Sequence, residues 1–372
     1  MTFLLSKLEI INLLEYIDMK CFHGGSILTR FLFENKKRGY AMRKLLLGTT
    51  ALAAAASLST SIALADVSIS GGYEFTYSSQ DSGIASSGSS FDSFSDDSDV
   101  KFSFTNKTDS GLTVGMFVAL DGGAEDETAL SISGGFGKVT LGSDDGIGDQ
   151  LTRTAHDLVG PDALNDGGGA VKGSGNLADD NADLITDIND ANAITYQLPT
   201  MGGLTIGASY LDAGSGTGDN ADMTVVAGKY SFESGAVKGT LHYGVNSIGG
   251  ATAGAGSKNS NSMAIDITSG SFRAVFAKAE SDVTTAITTE VTDYGIQYNV
   301  GNGLTLAAVG TQIEENTGGE TSDVTTVSAK YNIASGLDAY LTYHDYDYED
   351  GTSGTSADDD GSWTHVTIKA SF

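Results

Sequence analysis

Residues 193–214 read AITYQLPTMGGLTIGASYLDAG, and they alternate on both sides of a turn. Ile194, Tyr196 and Leu198 fall on one face of an extended chain. Past the glycines, Leu204, Ile206, Ala208 and Tyr210 continue that face, while Thr205, Gly207 and Ser209 point the other way. Side chains of a strand alternate with period two, so the pattern predicts a hairpin with one apolar and one hydrophilic face.

The same unit returns down the chain. Val226, Gly228, Tyr230 and Phe232 lead through Glu233-Ser234-Gly235 into Val237, Leu241 and Tyr243. Tyr294, Ile296 and Tyr298 lead through Gly301-Asn302-Gly303 into Leu304, Leu306 and Ala308, and Val327, Ala329, Tyr331 and Ile333 lead through Ala334-Ser335-Gly336 into Leu337, Ala339, Leu341 and Tyr343. The opposite faces carry Lys101, Ser103, Lys238, Thr240, His242, Asp293, Gln297, Asp338, Thr367 and Lys369. About sixteen such segments are expected after residue 65, joined by short turns that alternate with long acidic connections.

No stretch after Asp66 is apolar for long enough to make a membrane helix. A sandwich of sixteen strands would need two layers and Greek-key crossovers, which this plain meander does not suggest. In hydrocarbon, every backbone N–H and C=O must pair within the protein, so a sheet crosses a bilayer only as a closed cylinder. The expected fold is an all-β, transmembrane, antiparallel up-and-down barrel, apolar outside and water-filled inside.

Composition agrees. The 372 residues include 49 glycines, 2 prolines and one cysteine, with 48 acids against 20 bases. A net charge of −28 opposes binding to nucleic acid. Residues 42–65, MRKLLLGTTALAAAASLSTSIALA, have the basic head, apolar middle and Ala63-Leu64-Ala65 cleavage site of a signal peptide. Translation is therefore expected to start at Met42, with residues 1–41 an upstream extension and residues 66–372 the working barrel. Cleavage would remove Cys21 and leave 12 bases against 44 acids.

The signal peptide, the 193–214 hairpin, the [GA]-K-Y-x-[FI]-x-S-G units at 228–235 and 329–336 and the terminal Phe372 resemble the general diffusion porins of Gram-negative bacteria, especially alphaproteobacterial ones. The likeness covers residues 42–372. It implies an outer-membrane homotrimer that passes small hydrophilic solutes and ions without energy input or a required cofactor. It also implies contact with lipopolysaccharide, delivery to the barrel assembly machinery through the C-terminal strand, and Phe372 as the barrel-closing residue.

The longest interruption, residues 144–191, holds eleven acids and two bases, Arg153 and Lys172. In porins the third outer loop folds into the lumen, and this is the third long loop here. Asp180, Asp183, Asp187 and Asp190 recur at helical spacing opposite Leu177, Leu184, Ile185 and Ile188. With Asp179, these carboxylates are the expected pore constriction, and a carboxylate-lined constriction favours cations. Related porins oppose this loop with a ladder of arginines; here the wall bases are Lys101, Lys238, Arg273 and Lys369.

Residues 345–360 form a further acidic stretch. Asp345, Asp347, Glu349 and Asp350 depart from an EF-hand, because the glycine comes at position seven and Ser356 stands where a Glu is required. They remain candidates for looser Ca²⁺ or Mg²⁺ contacts. No nucleophile elbow, P-loop or zincin motif occurs, and His156, His242, His344 and His365 lie on separate segments, so no enzyme or confident metal site is expected. The alternative is a secreted or surface β-rich adhesin without a channel, but the fixed-period repeat of a β-solenoid is missing.

Overall fold

The computed structural model describes residues 66–82, 90–161, 188, 191–212, 222–249, 258–282, 288–316, 319–349 and 359–372. Sixteen strands follow one another: β1 (Asp66–Ser82), β2 (Ser90–Lys107), β3 (Thr113–Asp121), β4 (Ala124–Gly134), β5 (Gly137–Ser143), β6 (Asn192–Gln197), β7 (Leu204–Leu211) and β8 (Met223–Ser234). Then come β9 (Val237–Ile248), β10 (Lys258–Ser269), β11 (Phe272–Asp282), β12 (Thr288–Gly301), β13 (Leu304–Glu315), β14 (Thr321–Ala334), β15 (Leu337–Glu349) and β16 (Asp359–Ser371). Each strand pairs with the next, and β16 returns to pair antiparallel with β1, closing the barrel. Closure leaves no edge strand, which is the condition for a sheet in lipid.

Near the short-turn rim, Gly71 of β1 and Phe372 just after β16 exchange backbone hydrogen bonds of 2.9 and 3.0 Å. At the neighbouring β14–β15 turn, Gly336 has φ 73°, and a Cβ there would stand 2.4 Å from the Ser371 carbonyl oxygen. Only glycine fits that corner.

The period-two faces sort as the alternation requires. Ile69, Tyr73, Phe75, Ile194, Tyr210, Tyr230, Leu241, Phe276, Ile296, Leu306, Leu341, Val366 and Ile368 are exposed on the outer surface. The opposite parity carries Thr76, Ser78, Thr195, Ser209, His242, Asp293, Thr326 and Thr367, all buried. A soluble protein would hide the first set; here it is the surface that meets lipid.

Two expectations are corrected. The connection between β3 and β4 is only Gly122-Gly123, at φ 52° and 80°, rather than a long acidic loop. Asp345, Asp347 and Glu349 belong to β15 rather than to a loop. Tyr346 and Tyr348 turn inward and are buried, while Asp345 and Asp347 turn outward and are exposed. The alternation therefore persists, but its outer face changes from apolar at Leu341 and Tyr343 to acidic at Asp345. Beyond the hydrocarbon both faces of a strand are wet, and hydropathy no longer marks where it stops. Asp350 lies outside the described residues.

Candidate functional site

Residues 144–161 leave β5 and run across the inside of the barrel. The first turn is a short helix, α1 (Ile147–Leu151), and a 3₁₀ turn follows at His156–Leu158. Wall side chains hold this segment strand by strand. Ile147 N–H donates to Ser209 Oγ on β7 at 2.8 Å, and Lys229 Nζ on β8 lies 3.5 Å from the Gln150 carbonyl oxygen. His242 Nδ1 on β9 donates to the Leu151 carbonyl at 2.7 Å. Arg153 Nε reaches to 3.9 Å from Asp266 on β10. Ala155 N–H donates to Asp293 on β12. Gln297 Nε2 on β12 donates to Leu158 O at 2.9 Å, and Ser328 Oγ on β14 donates to Val159 O at 2.7 Å.

Gly160 then abuts Tyr340 on β15. A segment that meets successive strands from β7 to β15 through their buried parity lies in the lumen. Nearly all of these bonds terminate loop backbone groups that would otherwise be unsatisfied away from water.

Apolar contacts fix its depth. Ile147, Leu151 and Ile188 pack with Ala193, Val225 and Ala227, and Ala155, Leu158 and Val159 pack with Val275 and Val309. Each fully buried aliphatic side chain contributes about 1.5–3 kcal/mol. Two wall glycines accept the loop. A Cβ on Gly207 would stand 2.5 Å from Ile147 Cδ1, and one on Gly295 would stand 3.0 Å from Leu158 Cδ1.

Of the expected wall bases, Lys101, Arg273 and Lys369 lie partly buried on the inner face, and all four have a carboxylate partner. Lys101 lies 3.4 Å from Glu127 and over the Phe117 ring. Arg273 forms a forked pair with Asp266, the shortest contact being 2.7 Å. Lys369 pairs with Glu74. Lys238 pairs with Glu233 at 3.3 Å, but it stands two residues from the β8–β9 turn and is largely exposed, at the rim rather than beside the loop. No arginine ladder forms, and these four bases are countered in place.

Sequence reasoning missed most of the loop's holders: Ser209, Lys229, Gln297 and Ser328, with the notches at Gly207 and Gly295. Glycine inside a strand was the available signal, because it marks close approach by another part of the chain. Asp179, Asp180, Asp183, Asp187 and Asp190 lie outside the described residues. The described acids of the loop include Asp149 and Asp157. Desolvation by its surroundings raises the Asp149 carboxyl above the ordinary range, helped by the charges of Asp157 and Asp144 and opposed by Arg153. Arg153 Nη1 in turn bonds Asp157 at 2.9 Å. Where the segment meets β12–β15, Asp157, Gly160, Gln297, Ser328, Lys330 and Tyr340 line a recess of about 140 Å³.

A family model for Gram-negative porins matches residues 48–351. No curated protein matches the sequence. Among solved structures, a porin refined at 1.8 Å resolution is 18% identical with a TM-score of 0.59, covering 82% of this chain and 100% of its own. The anion-selective porin of Comamonas acidovorans is 16% identical at a TM-score of 0.59, covering 83% and 100%. The outer-membrane protein OmpT of Vibrio cholerae is 15% identical at 0.58, covering 84% and 99%. At these identities the likeness is one of fold, and the family match extends over most of the sequence. With its closed sixteen-stranded wall, lipid-facing outside and loop-crossed interior, the chain belongs to the Gram-negative porin family and forms a diffusion channel in the outer membrane.

Proposed function

We propose that the channel passes small hydrophilic solutes and ions without chemistry of its own, and that it prefers cations. The carrying observation is the pairing of the wall bases: Lys101, Arg273 and Lys369 are each neutralised by a carboxylate, and Lys330 by Asp338 at 2.9 Å. With these bases paired and Lys229 held on the Gln150 carbonyl, the acids of residues 144–191 set the sign of the field, and the described wall offers anions no row of free bases to follow. Asp179, Asp180, Asp183, Asp187 and Asp190 add to that field in this reading.

The processed barrel is residues 66–372, exported by the 42–65 signal peptide from a start at Met42. In support, the segment after the Ala63-Leu64-Ala65 site enters β1 directly at Asp66. The assembly is a homotrimer in this reading, in keeping with a Vibrio cholerae OmpT structure described as a trimer form. Ca²⁺ or Mg²⁺ enters only as a counter-ion between lipopolysaccharide and the outward carboxylates Asp345, Asp347 and Glu349; among the described residues no group of three or more acids, histidines or cysteines is placed to hold a metal.

Planar-bilayer recording under a salt gradient tests the reading. A cation-selective reversal potential is expected. An anion-selective one overturns the preference, and failure to form pores in bilayers overturns the channel.

A further inference from the structure

The sequence scatters its histidines over separate segments, but the fold brings two of them together. His344 on β15 stands opposite Trp363, and His365 on β16 stands opposite Thr342, so the two imidazoles are diagonal neighbours on the lumen face of one ladder. Their ring centroids are 5.4 Å apart with planes at 79°. Exposure is 3% for His344 and 4% for His365.

Each ring is anchored from its far side. His344 Nδ1 lies 2.8 Å from Thr326 Oγ1 on β14, and His365 Nδ1 lies 2.9 Å from Ser78 Oγ on β1. The strand order is β14, β15, β16, β1, so the hydroxyls flank the pair and the imidazoles occupy the middle. Nε2 lies at the distal tip of an imidazole, on the side away from Nδ1, so holding each Nδ1 outward tilts each Nε2 toward the neighbouring ring. Both Nε2 atoms are buried, and neither has a hydrogen-bond partner.

Buried polar atoms are normally satisfied. When Nδ1 donates its proton to a hydroxyl, Nε2 keeps its lone pair, which is how outer-shell groups prepare a histidine for a metal. Two nitrogens on one tetrahedral ion stand about 3.3 Å apart at metal–nitrogen bonds of about 2.0–2.1 Å. Rings 5.4 Å apart can both reach such an ion.

We infer that His344 and His365 form a two-histidine site on the inner wall for a borderline first-row divalent ion: Cu²⁺, Ni²⁺ or Zn²⁺. Imidazole suits these ions, whereas Ca²⁺ and Mg²⁺ take oxygen ligands. Among the described residues no group of three histidines, cysteines or acids is placed to hold a metal, so water fills the remaining positions. The inference stands apart from the cation preference, since it concerns lone pairs rather than net charge.

The molecule carries its own reporter. Trp363 is the chain's one tryptophan, and its ring lies 6.4 Å from that of His344. The refolded barrel in detergent is titrated with CuCl₂ while tryptophan emission is followed. Saturable quenching with a micromolar midpoint is expected, shifted at least tenfold upward in His344→Gln and in His365→Gln. ZnCl₂ should move the Cu²⁺ curve to higher concentration, and CaCl₂ should leave it in place. Quenching that never saturates, that both variants share, or that Zn²⁺ does not displace overturns the site. The Zn²⁺ competition uses the unaltered protein, so the result stands even if a variant fails to fold.

Discussion

Gly207 leaves the space that Ile147 occupies: a Cβ at 207 would lie 2.5 Å from Ile147 Cδ1 and 2.8 Å from the Tyr196 carbonyl oxygen. Filling the notch in Gly207→Val should push α1 off the wall toward the pore axis, at an overpacking cost of about 1–3 kcal/mol. Single-channel recordings should show a lower mean conductance with added substates, while the heat-modifiable mobility of the barrel persists. Unchanged conductance would mean that α1 does not bound the narrow section.

Arg273 and Asp266 neutralise each other at 2.7 Å, with Arg153 a further 3.9 Å from the same carboxylate. Arg273→Ala removes the closer cation and leaves Asp266 facing the lumen. The reversal potential should move further toward cations, and Asp266→Asn on top of it should move it back. A shift toward anions in the single variant would contradict the assigned sign of the lumen field.

Asp293 is fully buried and accepts from Ala155 N–H and, at 3.0 Å, from Thr311 Oγ1. Asp293→Ala strands the Ala155 donor, at a cost of about 1–3 kcal/mol. Limited proteolysis of the barrel in detergent should cut near residues 152–160 faster than in the parent, with Asp293→Asn intermediate. Equal cutting rates would remove Asp293 from the set of loop anchors.

Asp149 holds its proton to higher pH than an ordinary carboxyl does. Between the ordinary value and the raised one, the folded form binds more protons than the unfolded chain, so docking of α1 weakens as pH rises through that window. Cation selectivity runs the other way: as pH falls from neutrality, Asp149 loses its charge before the exposed carboxyls do. The selectivity of the parent should therefore begin to fall at a higher pH than that of Asp149→Asn, as read from reversal potentials between pH 4 and 7. Superimposed profiles would exclude Asp149 from the field.

Period two was enough to find the wall, because lipid on one side and water on the other force each strand to alternate from one interface to the other. Where both sides are wet the constraint lapses: β2 starts at Ser90 and runs through Asp92, Asp96 and Asp97, and β15 continues through Asp345 to Glu349. The loop's position was legible only as length and acidity. Its seating depends on Ser209, His242, Gln297 and Ser328 accepting or donating to backbone far away in sequence, and nothing local distinguishes those residues from other wall polars. The same holds for His344 and His365, whose meeting is a matter of register between β15 and β16.

The seam between β1 and β16 also constrains how this molecule is made. β16 supplies the second neighbour of β1, so a ribbon lacking β16 carries two open borders of unpaired amides and carbonyls. A shortened product would keep them open for good, available to any other exposed strand in the periplasm. Completion of the ring and safe passage into the membrane thus become a single event, gated by the β1–β16 seam.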